Sequence, residues 1–138
     1  MEPTIARGDH IVADMWCYRA RPPGRFEVAI LKHENLLLVK RIIAVEGDTI
    51  EAKDNRVFIN GQMIREAYVQ HTGRATERIR TFEPIRIAKG QVFVMGDNRD
   101  VSYDSRMAEF GPVPVESIVG KPLFIYKSDA DRTGRTLR

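Results

Sequence analysis

Short apolar runs punctuated by Gly, Pro, Asn and Asp set the rhythm of this chain, and most of them change face every second residue. Runs rich in Val, Ile and Phe occupy residues 11–13, 26–31, 36–45, 49–52, 56–59, 91–95 and 122–126, and each predicts a β-strand. Asp54-Asn55 joins two of these runs. Asn60-Gly61, set between Phe58-Ile59 and Met63-Ile64, is a hairpin signal of the tightest kind, because both turn residues tolerate the left-handed backbone. Helical periodicity is scarce: only residues 115–119, after Pro114, suggest a single turn or short helix. The pattern therefore predicts a mostly β, antiparallel protein.

Two stretches break the rhythm. Residues 70–86 are polar and Arg-rich without sustained alternation, which predicts a long surface excursion from the sheet. Residues 127–138 carry little to bury and are expected to fray as a polar tail, leaving residues 1–126 as one folded domain. At 138 residues the chain fits that single domain and can bury a core without disulfides or metal.

Charge narrows the field. The 22 Lys and Arg and 19 Asp and Glu give a net +3, spread along the chain rather than gathered in a block, so nucleic-acid binding is not indicated. Cys17 is the sole cysteine, so no internal disulfide forms. His10, His33 and His71 lack any ligand spacing, and neither a metal nor a cofactor is expected. No apolar run reaches the roughly 20 residues of a membrane helix. Met15-Trp16-Cys17-Tyr18 reads either as an apolar tip at lipid headgroups or as a hairpin contact.

Lys40 attracts attention on physical grounds. In a strand over 36–45 it shares a face with Leu36, Leu38, Ile42 and Ala44, where an ammonium is poorly solvated, while Arg41 points the other way in a structural role. Desolvation favours the neutral amine, which can take a proton from a hydroxyl. Read alone, such a lysine is more often an edge or snorkelling residue.

Three separated segments remove that isolation. Met1-Glu2-Pro3-Thr4 with Gly8-Asp9, then Lys40-Arg41 with Gly47-Asp48, and finally the box from Gly96 to Arg106 (GDNRDVSYDSR) together resemble the signal peptidase I family, with Val101 where Asn is usual. Taken alone, the last box also reads as a turn with internal side-chain bonds. Phe110-Gly111-Pro112 and Ile118-Val119-Gly120-Lys121 continue the likeness.

The resemblance implies a barrel-like, LexA-like β fold with little helix and a serine/lysine endopeptidase. It makes Lys40 the general base and Ser102 the hydroxyl that orients it, with Asp104 and Arg106 as a supporting ion pair and Asp97 and Arg99 also in support. Met1, Pro3, Leu36 and Leu38 fall at the substrate, and residues 36–39 at the pairing edge or pocket wall. The family's nucleophilic serine aligns with the position immediately before Met1, so these 138 residues are expected to be inactive by themselves. The implied partners are signal peptides of preproteins, with small residues at the first and third positions before the cut. The implied setting is a membrane anchored by helices N-terminal to the domain, with catalysis on the exported side. A conjugative-transfer or pilin-processing peptidase shares the same dyad, and a noncatalytic peptide-binding module keeps only the cleft. A self-cleaving repressor fits the box and the Asn60-Gly61 hairpin less well.

Overall fold

The computed structural model describes residues 1–73 and 80–137. Among the described residues ten strands carry the fold: β1 His10–Asp14, β2 Val28–His33, β3 Leu36–Val45, β4 Thr49–Lys53, β5 Arg56–Ile59, β6 Gln62–Met63, β7 Phe82–Arg86, β8 Gln91–Met95, β9 Val113–Pro114 and β10 Ile118–Lys127. Among the described residues a four-residue helix, α1, spans Cys17–Ala20, and a 3-10 turn covers Val115–Ser117. The expected turn at 115–119 is thus shorter, because Ile118 and Val119 already belong to β10.

Two antiparallel sheets form. The larger runs β1-β10-β2-β3-β8-β9 and the smaller β6-β5-β4-β7. Turn chemistry works as the residues dictate: Asp54 and Asn55 have φ of 49° and 66°, and Asn60 and Gly61 have 52° and 78°. Positive φ at both central residues matches the right-handed twist of the flanking strands, which fixes the β4-β5 and β5-β6 registers.

One core cluster joins the sheets through Ile43, Ala44, Phe93 and Met95 from the large sheet against Ile50, Ala52, Val57 and Ile59 from the small one. The second lies within the large sheet's other layer, with Ala29, Leu31, Ile42, Val94 and Phe110. A register shift between Ile42 and Ala44 explains why neighbours in sequence serve different cores. Strict alternation places Ala44 on the face of Lys40, but the bulge turns it into the other cluster, while Leu38 and Ile42 stay on the first side.

Two further expectations are corrected. Within 70–86, where residues 74–79 lie outside the described residues, Phe82–Arg86 forms an edge strand rather than loop. It pairs with β4, and Phe82 stacks on Phe93 with centroids 5.6 Å apart. Pro84 and a second register shift hide its period, and both are tolerated at an edge. The tail does not fray. Gly134 N and Leu137 N donate to Ile125 O and Leu123 O at 2.7 and 2.8 Å, and Leu137 is buried. One apolar side chain and three backbone hydrogen bonds suffice to return this polar segment to β10. Among the described residues no helix is long and apolar enough to cross a membrane.

Candidate functional site

β3 is the element around which the site is built. It pairs with β2 over Leu36–Arg41, but with β8 only from Arg41 to Val45. Residues 36–40 therefore present one backbone edge that pairs with no strand among the described residues. The loop between β8 and β9, residues 96–112, closes over this region.

Lys40 Nζ donates to Ser102 Oγ at 2.9 Å. Burial lowers the amine's pKa from its ordinary 10.5. The Asp104 charge works against that lowering and Arg106 adds to it. Ser102 is held in turn, for its hydroxyl also bonds Asp104. Arg106 grips the same carboxylate through Nε at 2.8 Å and Nη2 at 2.9 Å, and Gly96 N donates to it at 2.9 Å. Burial alone raises the Asp104 carboxyl. The guanidinium and the hydrogen bonds outweigh it, so the group stays a carboxylate below its usual range. Gly96 is required sterically: a Cβ there falls 2.3 Å from Ser102 Oγ and 2.6 Å from its Cβ.

The opposite face of β3 carries a second buried network. Arg41 forks onto Asp97 at 2.9 and 2.7 Å, donates to Phe26 O at 2.7 Å, and lies 3.9 Å over the ring of Tyr68. Thr4 Oγ1 donates to Asp97 as well. This links the first residues of the chain to β3 and to the box. In consequence the backbone nitrogen of Met1 is largely enclosed. Burial lowers the pKa of its amine, Lys40 lowers it further, and Asp97 opposes. The Met1 amine thus lies within the electrostatic reach of Lys40.

The remaining sequence candidates fall as follows. Arg99 braces the box from within, with Nε on Gly96 O at 3.1 Å and its fork on Glu66 at 2.8 and 2.5 Å. Asp97 belongs to the Arg41 network, not to the lysine. Met1 lines a cleft of about 390 Å³ with Ile5, Ala6, Val39, Asn98 and Val101. Pro3 is exposed and absent from that wall, as are Leu36, 57% exposed, and Leu38, which packs on the core. Val39, within the 36–39 stretch expected at the edge or pocket wall, does line it, because alternation sends Leu38 inward and Val39 to the cleft face. Thr4, Arg41, Gly96 and Glu66 were not among the candidates. A Gly directly ahead of a dense polar box was a signal for Gly96, whereas nothing local marks Glu66. No group of three or more His, Cys, Asp or Glu able to hold a metal occurs among the described residues.

The family model described as signal peptidase, peptidase S26, matches residues 1–127. Thylakoidal processing peptidase 1 of Arabidopsis thaliana is 35% identical over 91% of this chain, which spans 39% of that relative's length. Signal peptidase I V of Bacillus subtilis is 32% identical over 87% of this chain and 76% of its own. The crystal structure of a signal peptidase I from Enterococcus faecalis superposes with a TM-score of 0.60 at 29% identity, covering 73% of this chain and 97% of that one. With its mostly antiparallel fold and a family match over residues 1–127, the chain belongs to the signal peptidase family, peptidase S26.

Proposed function

We propose that this domain hydrolyses a peptide bond in exported preproteins, releasing the signal peptide, with Lys40 as general base and Ser102 as the group that aims it. The observation that carries the reading is the 2.9 Å contact between a desolvated amine and a hydroxyl itself fixed by Asp104. A neutral amine accepts a proton, and the Ser102 contact holds its lone pair in one direction. Asp104 and Arg106 keep Ser102 in place.

The attacking group in this reading is a serine hydroxyl at the position joined to Met1. Lys40 removes its proton as the oxygen bonds to the substrate carbonyl. The resulting ammonium returns that proton to the departing amine, an acyl-enzyme remains, and water attacks it with Lys40 again as base. The Arg41-Asp97-Thr4 network is what positions residue 1, and hence its neighbour, beside Lys40. The unpaired edge at residues 36–40 receives the substrate as an added strand, and the cleft over Val39 receives a side chain. Helices joined N-terminally anchor the domain on the exported side of a membrane.

The test uses two purified polypeptides, residues 1–138 and the same chain with one serine joined before Met1. Signal-sequence peptides with small residues at the first and third positions before the cut are the substrates. The serine-extended chain cleaves them and Lys40→Ala reduces the rate at least about 1,000-fold, while residues 1–138 bind without cleaving. Cleavage by residues 1–138, or indifference of the extended chain to Lys40→Ala, sinks the reading. Binding without cleavage by both chains identifies a peptide-binding module instead.

A further inference from the structure

The tail that follows β10 touches the wall of the cleft over Val39 through one carboxylate. Residues 128–137 lie beyond the span that the family model matches, yet they are tied down. Gly134 N donates to Ile125 O at 2.7 Å, Ile125 N donates to Arg135 O at 3.0 Å, and Arg135 N closes a turn onto Arg132 O at 3.1 Å. The backbone that carries Arg132 is therefore held on β10.

The carboxylate is that of Asp9, whose side chain is fully covered. Its Oδ1 accepts from Ser128 Oγ at 2.6 Å and from Arg132 Nη2 at 3.0 Å, both in the tail. Its Oδ2 accepts from Ala6 N at 2.8 Å, and Asp9 N donates to Ala6 O at 3.2 Å. The tail also lies against this turn at Gly8, where a Cβ falls 2.8 Å from Asp129 Oδ2. Ile5, Ala6 and Arg7 wall the cleft together with Val39 and Val101. Asp9 thus joins the tail to the turn that shapes the wall.

A covered carboxylate keeps its charge only when it is compensated. Burial raises the Asp9 carboxyl, and the bonds from Ser128, Ala6 N and Arg132 outweigh it and hold the group below its ordinary 3.8. Among the described residues Arg132 is the cation paired with it. Without that cation the carboxylate swings out to water or takes up a proton, and either change weakens its hold on Ala6 N. Thr4 is held separately by Asp97, so the groups around Lys40 keep their places.

We propose, on the peptidase reading above, that Arg132 is a positioning residue for substrate binding: through Asp9 it sets residues 5–7 at the distance from Val39 that the signal peptide's side chain requires. In the serine-extended chain, Arg132→Gln raises KM for signal-sequence peptides about 10-fold and leaves kcat within about twofold. A role in stability alone does the reverse, lowering the active fraction and hence kcat with KM unchanged. Arg132→Lys brings KM back to within about threefold of the original, since a single-pronged contact needs a charge and not a fork. Unchanged KM in Arg132→Gln, or no recovery in Arg132→Lys, overturns the proposal. Should Arg132→Gln not fold, Ser128→Ala removes the other tail contact to Oδ1 and raises KM about threefold, and an unchanged KM there is equally fatal. If the extended wild-type chain cleaves nothing, the peptidase reading fails by itself, and amide exchange in residues 1–138 decides the inference. Ala6 N–H then exchanges at least about 10-fold faster in Arg132→Gln, and an unchanged rate overturns the link from tail to cleft wall.

Discussion

Lys40 and Arg41 are adjacent cations on one strand, and the two faces of β3 treat them in opposite ways. Arg41 is surrounded by complementary groups: a carboxylate gripped by both prongs, a carbonyl and an aromatic ring. Lys40 has one hydroxyl and is desolvated by burial, and the Asp104 carboxylate that acts on it is gripped by Arg106. The fold thus solvates one charge with protein groups and starves the other. A charge that is fully matched stabilises structure, and one that is not matched is available for proton transfer.

The sharpest way to break this contrast is Arg41→Ala. It leaves Asp97 buried beside Thr4 with its counter-charge gone, and a loss of about 3–5 kcal/mol follows, read by denaturant unfolding. Arg41→Lys keeps the charge but forfeits the fork, and recovers less than half of that loss. Equal costs for Arg41→Ala and Lys40→Ala erase the distinction between the faces.

Gly96→Ala comes next. The added methyl displaces Ser102 and costs about 1–3 kcal/mol in stability. In the serine-extended chain it reduces kcat more than KM, because the displaced hydroxyl no longer aims the amine. Unchanged kcat shows that Ser102 is not needed where the structure puts it.

The smallest effect is the most diagnostic. Lys40 has a lower pKa folded than unfolded, so between the folded value and 10.5 the unfolded chain binds the extra proton and stability rises with pH. Below the folded pKa the amine is charged in both states and the burial penalty is fully present. Lys40→Met therefore raises stability at pH values below the folded pKa of the amine, a gain that shrinks as pH climbs towards 10.5. A pH-independent difference between wild type and variant contradicts a desolvated amine.

What was legible before the fold was known follows from sequence distance. Strands β4 and β5 carried their own alternation and β3 and β8 their apolar runs, the hairpins carried their turn residues, and the box from Gly96 to Arg106 holds the Asp104-Arg106 pair within itself. The contacts of Arg41 were hidden because Asp97 lies 56 positions away, and Thr4 lies 93 positions from Asp97. β7 was hidden by Pro84 and an irregular register, and Ala44 was misplaced by a one-residue bulge. Residues 36–39 were legible as pairing edge or pocket wall, but not which strand face lines the cleft. Period two fixes which residues share a face, but only the packing fixes which face looks into the cleft.

The return of residues 134–137 onto β10 has a practical bearing on handling the protein. That segment shields the main chain of residues 123–125 on the side away from β1, with Phe124 opposite Thr136. Trimming it uncovers a sticky ribbon flanked by Phe124 and Tyr126, which invites copies to zip together edge to edge. Affinity tags are safer after a spacer beyond Leu137 than in place of these last residues.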